Sequence, residues 1–141
     1  MKALILAFSA SLVWGLAPSL FKLVLKEGVP PSVALIFHNL SACIISLLIT
    51  IILGERLTLN PKQLSLAFLG GFLSGFLGLY LFFLALRHGD VSIISPIAST
   101  SPLWSALFAY IVLGEKLSFT KFAGILLIIA GISLLSVSFR R

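Results

Sequence analysis

Tyr110-Ile111-Val112-Leu113-Gly114-Glu115-Lys116-Leu117 is the stretch that decides how this chain is read. An apolar run of membrane length, Val91 to Leu113, stops there at a glycine and an acid–base pair. A short polar stretch follows, then a second apolar run carrying Gly124 and Gly131. The same punctuation stands earlier, as Leu53-Gly54-Glu55-Arg56-Leu57-Thr58 against Leu113-Gly114-Glu115-Lys116-Leu117-Ser118. Gly71 and Gly131 keep the same offset from the two stops. The chain uses one device twice: span, glycine stop, acid–base pair, span.

Working outward, composition fixes the solvent. Of 141 residues, 60% are hydrophobic and 10% charged, with a mean hydropathy of +1.20. A soluble domain keeps about a quarter of its residues charged, so this chain belongs in a bilayer. A helical span needs roughly 20 apolar residues, which leaves room for about five spans and no soluble domain. The net charge of +6 sits in short clusters that cap the apolar runs, where Lys and Arg meet lipid headgroups. That distribution argues against a nucleic-acid partner. The single Cys43 excludes a disulfide framework and a cysteine metal site. Met1-Lys2 and the apolar residues after it superficially resemble a signal sequence, but the run continues through Trp14 to Val24, so a retained first span is expected.

The expected spans are 3–24, 32–53, 64–86, 91–113 and 121–139, in one domain over 1–141. Pro18 should bend the first, and Lys26-Glu27-Gly28 with Pro30-Pro31 makes the first turn. Asn60-Pro61 is a helix cap followed by proline in the first turn. Arg87-His88-Gly89-Asp90 is a minimal turn, and Thr120 can cap the fifth span. Pro96 and Pro102 interrupt the fourth. Such short connections make consecutive helices antiparallel neighbours. Small residues gather on single faces: Gly71, Ser74, Gly75, Gly78 and Ala85 in span three, and Asn39, Ala42, Cys43, Ser46 and Thr50 in span two. Ser95, Ala98, Ser99, Pro102, Ala106 and Ala109 do the same in span four. Faces of this kind let helices approach closely in lipid, where no hydrophobic force acts between them. Gly71, Gly75, Gly78, Gly124 and Gly131 are the expected packing glycines.

Several of these residues together resemble a known family. Trp14-Gly15 with Lys22 in span one, Ala85-Leu86 before span four, Pro102, Leu113-Gly114-Glu115-Lys116-Leu117, Gly124 and Gly131 are similar to one EamA-type domain of the drug/metabolite transporter superfamily. The resemblance covers essentially the whole chain. It implies an all-α integral membrane protein with five transmembrane helices, half of a ten-helix inverted-repeat transporter. Many relatives carry two such domains and export or exchange metabolites; this chain carries one, which implies a dimer or a homologous five-span partner. A multi-pass protein of a prokaryotic inner (cell) membrane is expected. Related small multidrug exporters rely on a glutamate in their first helix. Span one here has no acid, which argues against a proton-coupled exporter of cationic drugs.

Candidate solute-binding residues follow from polarity at depth: Trp14, Lys22, His38, Asn39, Tyr80, Ser95, Ser99 and Trp104. Lys22 either snorkels to the headgroups or joins Ser11, Gly15 and Pro18 on an inward face. A buried lysine costs on the order of 3 kcal/mol, so an inward one needs a partner or a function. His38 is either an interfacial, hydrogen-bonded histidine or a solute or proton site, since its unperturbed pKa is near neutrality. The hydroxyls around Pro96 and Pro102 either repair the backbone or line a midplane site. Trp14, Tyr80 and Trp104 either pack or wall a cavity. Glu55 and Glu115 are expected to pair with the adjacent bases. No Asp or Glu lies inside a span, and no metalloprotease, nucleophile-elbow or phosphate-loop motif occurs. No enzyme activity, metal or cofactor is therefore expected. The absence of an intramembrane carboxylate beside Lys22 points to an anionic or zwitterionic solute.

Lys and Arg are nearly balanced between the two sides. Lys2, Arg56, Lys62, Lys116 and Lys121 fall on one side; Lys22, Lys26, Arg87, Arg140 and Arg141 fall on the other. Orientation follows the Lys/Arg bias of short loops. A chain without bias is expected to insert both ways, giving dual topology and an inverted dimer.

Overall fold

The computed structural model describes residues 1–116 and 118–137. Its described residues are helical with short turns and no strand. The helices are α1 (Lys2–Lys26), α2 (Pro31–Ile52), α3 (Pro61–Gly71), a π-helical segment (Phe72–Gly78), α4 (Leu79–His88), α5 (Val91–Ala98), α6 (Ser101–Leu113) and α7 (Phe119–Val137). Lys2–Lys26, Pro31–Ile52, Pro61–His88 and Val91–Leu113 are each long and apolar enough to cross a membrane, and α7 adds a shorter apolar stretch, Phe119–Leu134. The expected five-helix, all-α membrane architecture is what the chain adopts. Leu117, Phe139, Arg140 and Arg141, which the sequence reading used, lie outside the described residues.

The glycine stops work as read. Gly54 and Gly114 are left-handed, with φ of 66° and 67°. Past them the chain turns back, Glu55 N–H donating to the Thr50 carbonyl at 3.0 Å and Glu115 N–H to Ala109 at 3.2 Å. Such bonds satisfy carbonyls that a helix end leaves open. Gly28, at φ 85°, makes a third stop after α1.

Several boundaries differ from expectation, each for a local reason. Span three starts at Pro61, because Asn60 and Gln63 form a reciprocal capping box with bonds of 2.9 and 3.0 Å. It ends at His88, so the turn shortens to Gly89 and Asp90, the Asp90 carbonyl accepting from Ile93 and Ile94. Span one runs on to Lys26, two residues past the expected end, with Pro18 inside the helix. Span four is broken: α5 ends at Ala98 and α6 begins at Ser101, with Pro102 in its first turn. The cap of α7 is Ser118, not Thr120, since Ser118 Oγ accepts from Lys121 N–H at 3.3 Å and Thr120 is already helical. Glu115 pairs with Lys121 at 3.9 Å rather than with Lys116, one helical turn bringing Lys121 back over the loop. Among the described residues Glu55 has no ion pair, so its expected pairing with Arg56 is not made.

The chain forms two compact units, Met1–His88 and Gly89–Arg141. In the first, α4 packs against both α1 and α2. Its fully enclosed apolar side chains are Leu25, Ala34, Leu35, Phe83 and Leu86. All five lie towards the end where α1 finishes, α2 starts and α4 finishes; the opposite halves of α1 and α2 are exposed. In the second unit α5 packs against α7.

Candidate functional site

In the first unit the polar residues named from the sequence converge on span three. Lys22, half-buried on α1, donates from Nζ to the backbone carbonyl of Leu86. Leu86 lies in the last turn of α4, where carbonyls have no helical partner and the helix dipole is negative. The ammonium therefore faces inward and is placed at the end of α4.

His38 stands on α2 against two rings. Its imidazole meets Phe21 edge-on at 5.4 Å and 72°, and Phe83 at 6.3 Å and 78°. Phe21 and Phe83 are themselves 4.4 Å apart. Edge-to-face pairs direct a ring's positive edge at its neighbour's negative face. His38 also lines a cavity of about 530 Å³ with Phe21, Val24, Val33, Phe37 and Ser41. The Ser41 hydroxyl donates to the His38 carbonyl at 2.8 Å. This cavity is apolar, with the imidazole as its main polar wall.

Asn39 points elsewhere. Its Nδ2 donates to the Gly75 carbonyl at 2.9 Å, inside the π-helical segment. A Cβ on Gly75 would stand 3.6 Å from Asn39 Oδ1. Tyr80 is half-buried and stacks on Phe76 at 5.7 Å, and Phe76 stacks on Phe72 at 5.8 Å. Trp14 is 74% exposed on the open half of α1, apart from the others. Lys22, His38 and Asn39 are thus brought together around one element, and Trp14 is not.

The second unit holds the hydroxyl patch. Ser99 donates from both its N–H and its Oγ to the Ser95 carbonyl, at 3.0 and 2.9 Å. Thr100 does the same to Ile97, at 3.1 and 2.9 Å. Proline at 102 cannot continue the ladder, and these doubled bonds close the end of α5. The oxygens keep lone pairs that can accept from a solute. Ser95 is half-buried and Trp104 is exposed on α6.

Of the expected packing glycines, Gly75 has an ordinary contact with another helix, 3.6 Å to Asn39 Oδ1, and Gly78 meets the Leu73 carbonyl of its own segment. At Gly71, Gly124 and Gly131 a Cβ would meet nothing within 4 Å. Those three provide no close approach within the described chain. Among the described residues no three His, Cys, Asp or Glu side chains gather to hold a metal. Phe21, Phe83 and the Leu86 carbonyl are the site members that sequence reasoning missed.

The model of the EamA-like transporter family matches residues 1–137. The chain belongs to the EamA-like transporter family. It is accordingly an integral, multi-pass membrane protein of a transporter family, in contact with lipid along its helices. Another chain of this kind, an uncharacterized protein of Methanocaldococcus jannaschii, is 29% identical over 136 residues, covering 96% of this chain and 97% of that one. No solved structure matches.

Proposed function

We propose that this EamA-like chain moves a small anionic or zwitterionic metabolite, such as an amino acid, across the membrane by alternating access, as an inverted pair of copies. The observation that carries the reading is the break in span four. Val91–Leu113 is 23 residues long and loses its helix at Ser99 and Thr100. At 1.5 Å per residue the break falls about 13 Å from Val91, near the middle of a hydrocarbon core roughly 30 Å thick. Ser99 and Thr100 stay near helical torsions, at φ −72°, ψ 5° and φ −71°, ψ −8°, so the span is interrupted by one turn without unwinding, and discontinuous helices are how transporters build midplane sites. Ser95, Ser99 and Trp104 would then face the solute in the second unit. In the first unit His38 and Tyr80 are the candidate contacts, and Lys22 the candidate positive charge. Residues 1–141 are read as a single transport domain, a reading supported by the family match over residues 1–137.

A second reading, an accessory membrane subunit that transports nothing, is favoured by one observation: Lys22 and Asn39 are already bonded to backbone carbonyls. The cavity beside His38 favours transport instead. Purified protein in liposomes loaded with a panel of amino acids and organic anions separates the two. Transport predicts counterflow of at least one anionic or zwitterionic compound, reduced by Lys22→Gln. Flux of a lipophilic cation alone would refute the charge assignment, and no flux of any compound would favour the accessory reading.

A further inference from the structure

The middle of span three holds a feature the transport reading has not used. Pro61–His88 contains a π-helical run, Phe72–Gly78, between two α-helical halves. A π turn closes its bonds five residues on instead of four and so absorbs an extra residue; such turns are rare and frequently stand at functional sites. Three contacts bear on it. Asn39 Nδ2 donates to the Gly75 carbonyl at 2.9 Å. Ser74 Oγ donates to the Gly70 carbonyl at 2.7 Å. At Gly78 a Cβ would come within 3.1 Å of the Leu73 carbonyl, so a side chain there would crowd the wide turn. Asn39 is the one of these that reaches from another helix.

We propose that Asn39 is a positioning residue that holds span three in this π register. Release of Asn39 lets the segment relax to α-helix. One residue of α-helix turns by about 100°, so Leu79–His88 then rotates by about that angle relative to Pro61–Gly71. The face of α4 against α1 and α2 carries Phe83 and Leu86, both fully buried, and it also offers Lys22 its carbonyl. A change of register at Gly75 therefore opens the closed end of the first unit. This role deepens the transport reading and rests on it for its purpose, but the register can be measured without any transport.

The test is a spin-label distance in liposomes, between Ile44→Cys on α2 and Leu81→Cys on α4, in a Cys43→Ala background. Both positions are exposed. A point on the outer surface of a helix moves about 8 Å when the helix turns 100°. With Asn39→Leu the distance is expected to shift by several ångströms from its native value. Deleting Gly75 removes the surplus residue, so Asn39→Leu combined with that deletion is expected to return to the native distance. An unshifted distance in Asn39→Leu would overturn the proposal. Where Asn39→Leu does not fold, Asn39→Ala decides: a shifted distance supports the proposal, and the native distance overturns it.

Discussion

Replacing Lys22 by methionine sets two terms of similar size against each other. The ammonium donates to the Leu86 carbonyl in the last turn of α4. A hydrogen bond from a charged group contributes about 1.5–3 kcal/mol in proteins, while interhelical polar contacts measured in lipid average nearer 0.6 kcal/mol, at roughly 1.7 for the strongest. The favourable end of the α4 dipole adds about 0.3–1 kcal/mol. Against this stands the cost of holding a lysine in lipid, about 2.5–3.5 kcal/mol at a helix centre. Lys22 lies only about 6 Å from the end of α1 and is half-buried, so that cost is well below its maximum. Lys22→Met is therefore expected to change stability by no more than about 1 kcal/mol, since the lost bond and the relieved charge nearly cancel. Lys22→Glu has no such cancellation. A carboxylate would face a carbonyl oxygen at the negative end of a helix, and a loss of about 3 kcal/mol or more is expected. Unfolding in mixed micelles titrated with dodecyl sulfate, followed by circular dichroism, reads both. A Lys22→Glu chain as stable as Lys22→Met would refute the placement of Lys22 on the Leu86 carbonyl.

Other expectations concern the turns and the insertion of the chain. Asn60→Ala removes the capping-box acceptor for Gln63 N–H and should cost about 1 kcal/mol in the same titration; a value near zero would mean that the α3 start is held by something else. Gly114→Ala puts a side chain at φ 67° and should cost about 1–2 kcal/mol, whereas Gly15→Ala, in open space inside α1, should be neutral or stabilising; equal effects would contradict the glycine-stop assignment. Single cysteines in the Arg56–Gln63 loop and at the C-terminus, in a Cys43→Ala background, should each react with an impermeant thiol reagent from both faces of the membrane if topology is dual. Labelling of each from one face only would leave a fixed orientation and a separate partner.

What the sequence made readable was set by composition and by strong local punctuation. Long apolar runs with few charges can only be spans; Gly54 and Gly114 mark ends through a left-handed conformation that few other residues adopt, and Asn60-Pro61 marks a start through its side-chain cap. Neighbouring hydroxyls were harder to separate: Ser118 and Thr120 are both good caps, and only the start of α7 at Phe119, with Lys121 N–H on Ser118 Oγ, decides between them. The π-helical run was hidden because Gly71, Ser74, Gly75 and Gly78 give the same small-residue spacing in an α-helix. The acceptor of Lys22 was hidden for a different reason. A backbone carbonyl 64 residues away has no residue type by which a sequence can announce it. The inward half of the Lys22 alternative was open to reading, but its partner was not.

The enclosed side chains of the first unit also set an order in time. Leu25, Ala34 and Leu35 are buried on helices that pack against α4, and α4 carries Phe83 and Leu86, which leave the ribosome roughly 50 residues later. At about 5–20 residues per second, synthesis of that interval lasts several seconds. Throughout it, the first two helices sit in the bilayer as a hairpin with lipid where α4 will later stand. The nascent chain cannot commit to its tertiary arrangement helix by helix; commitment waits for the third span.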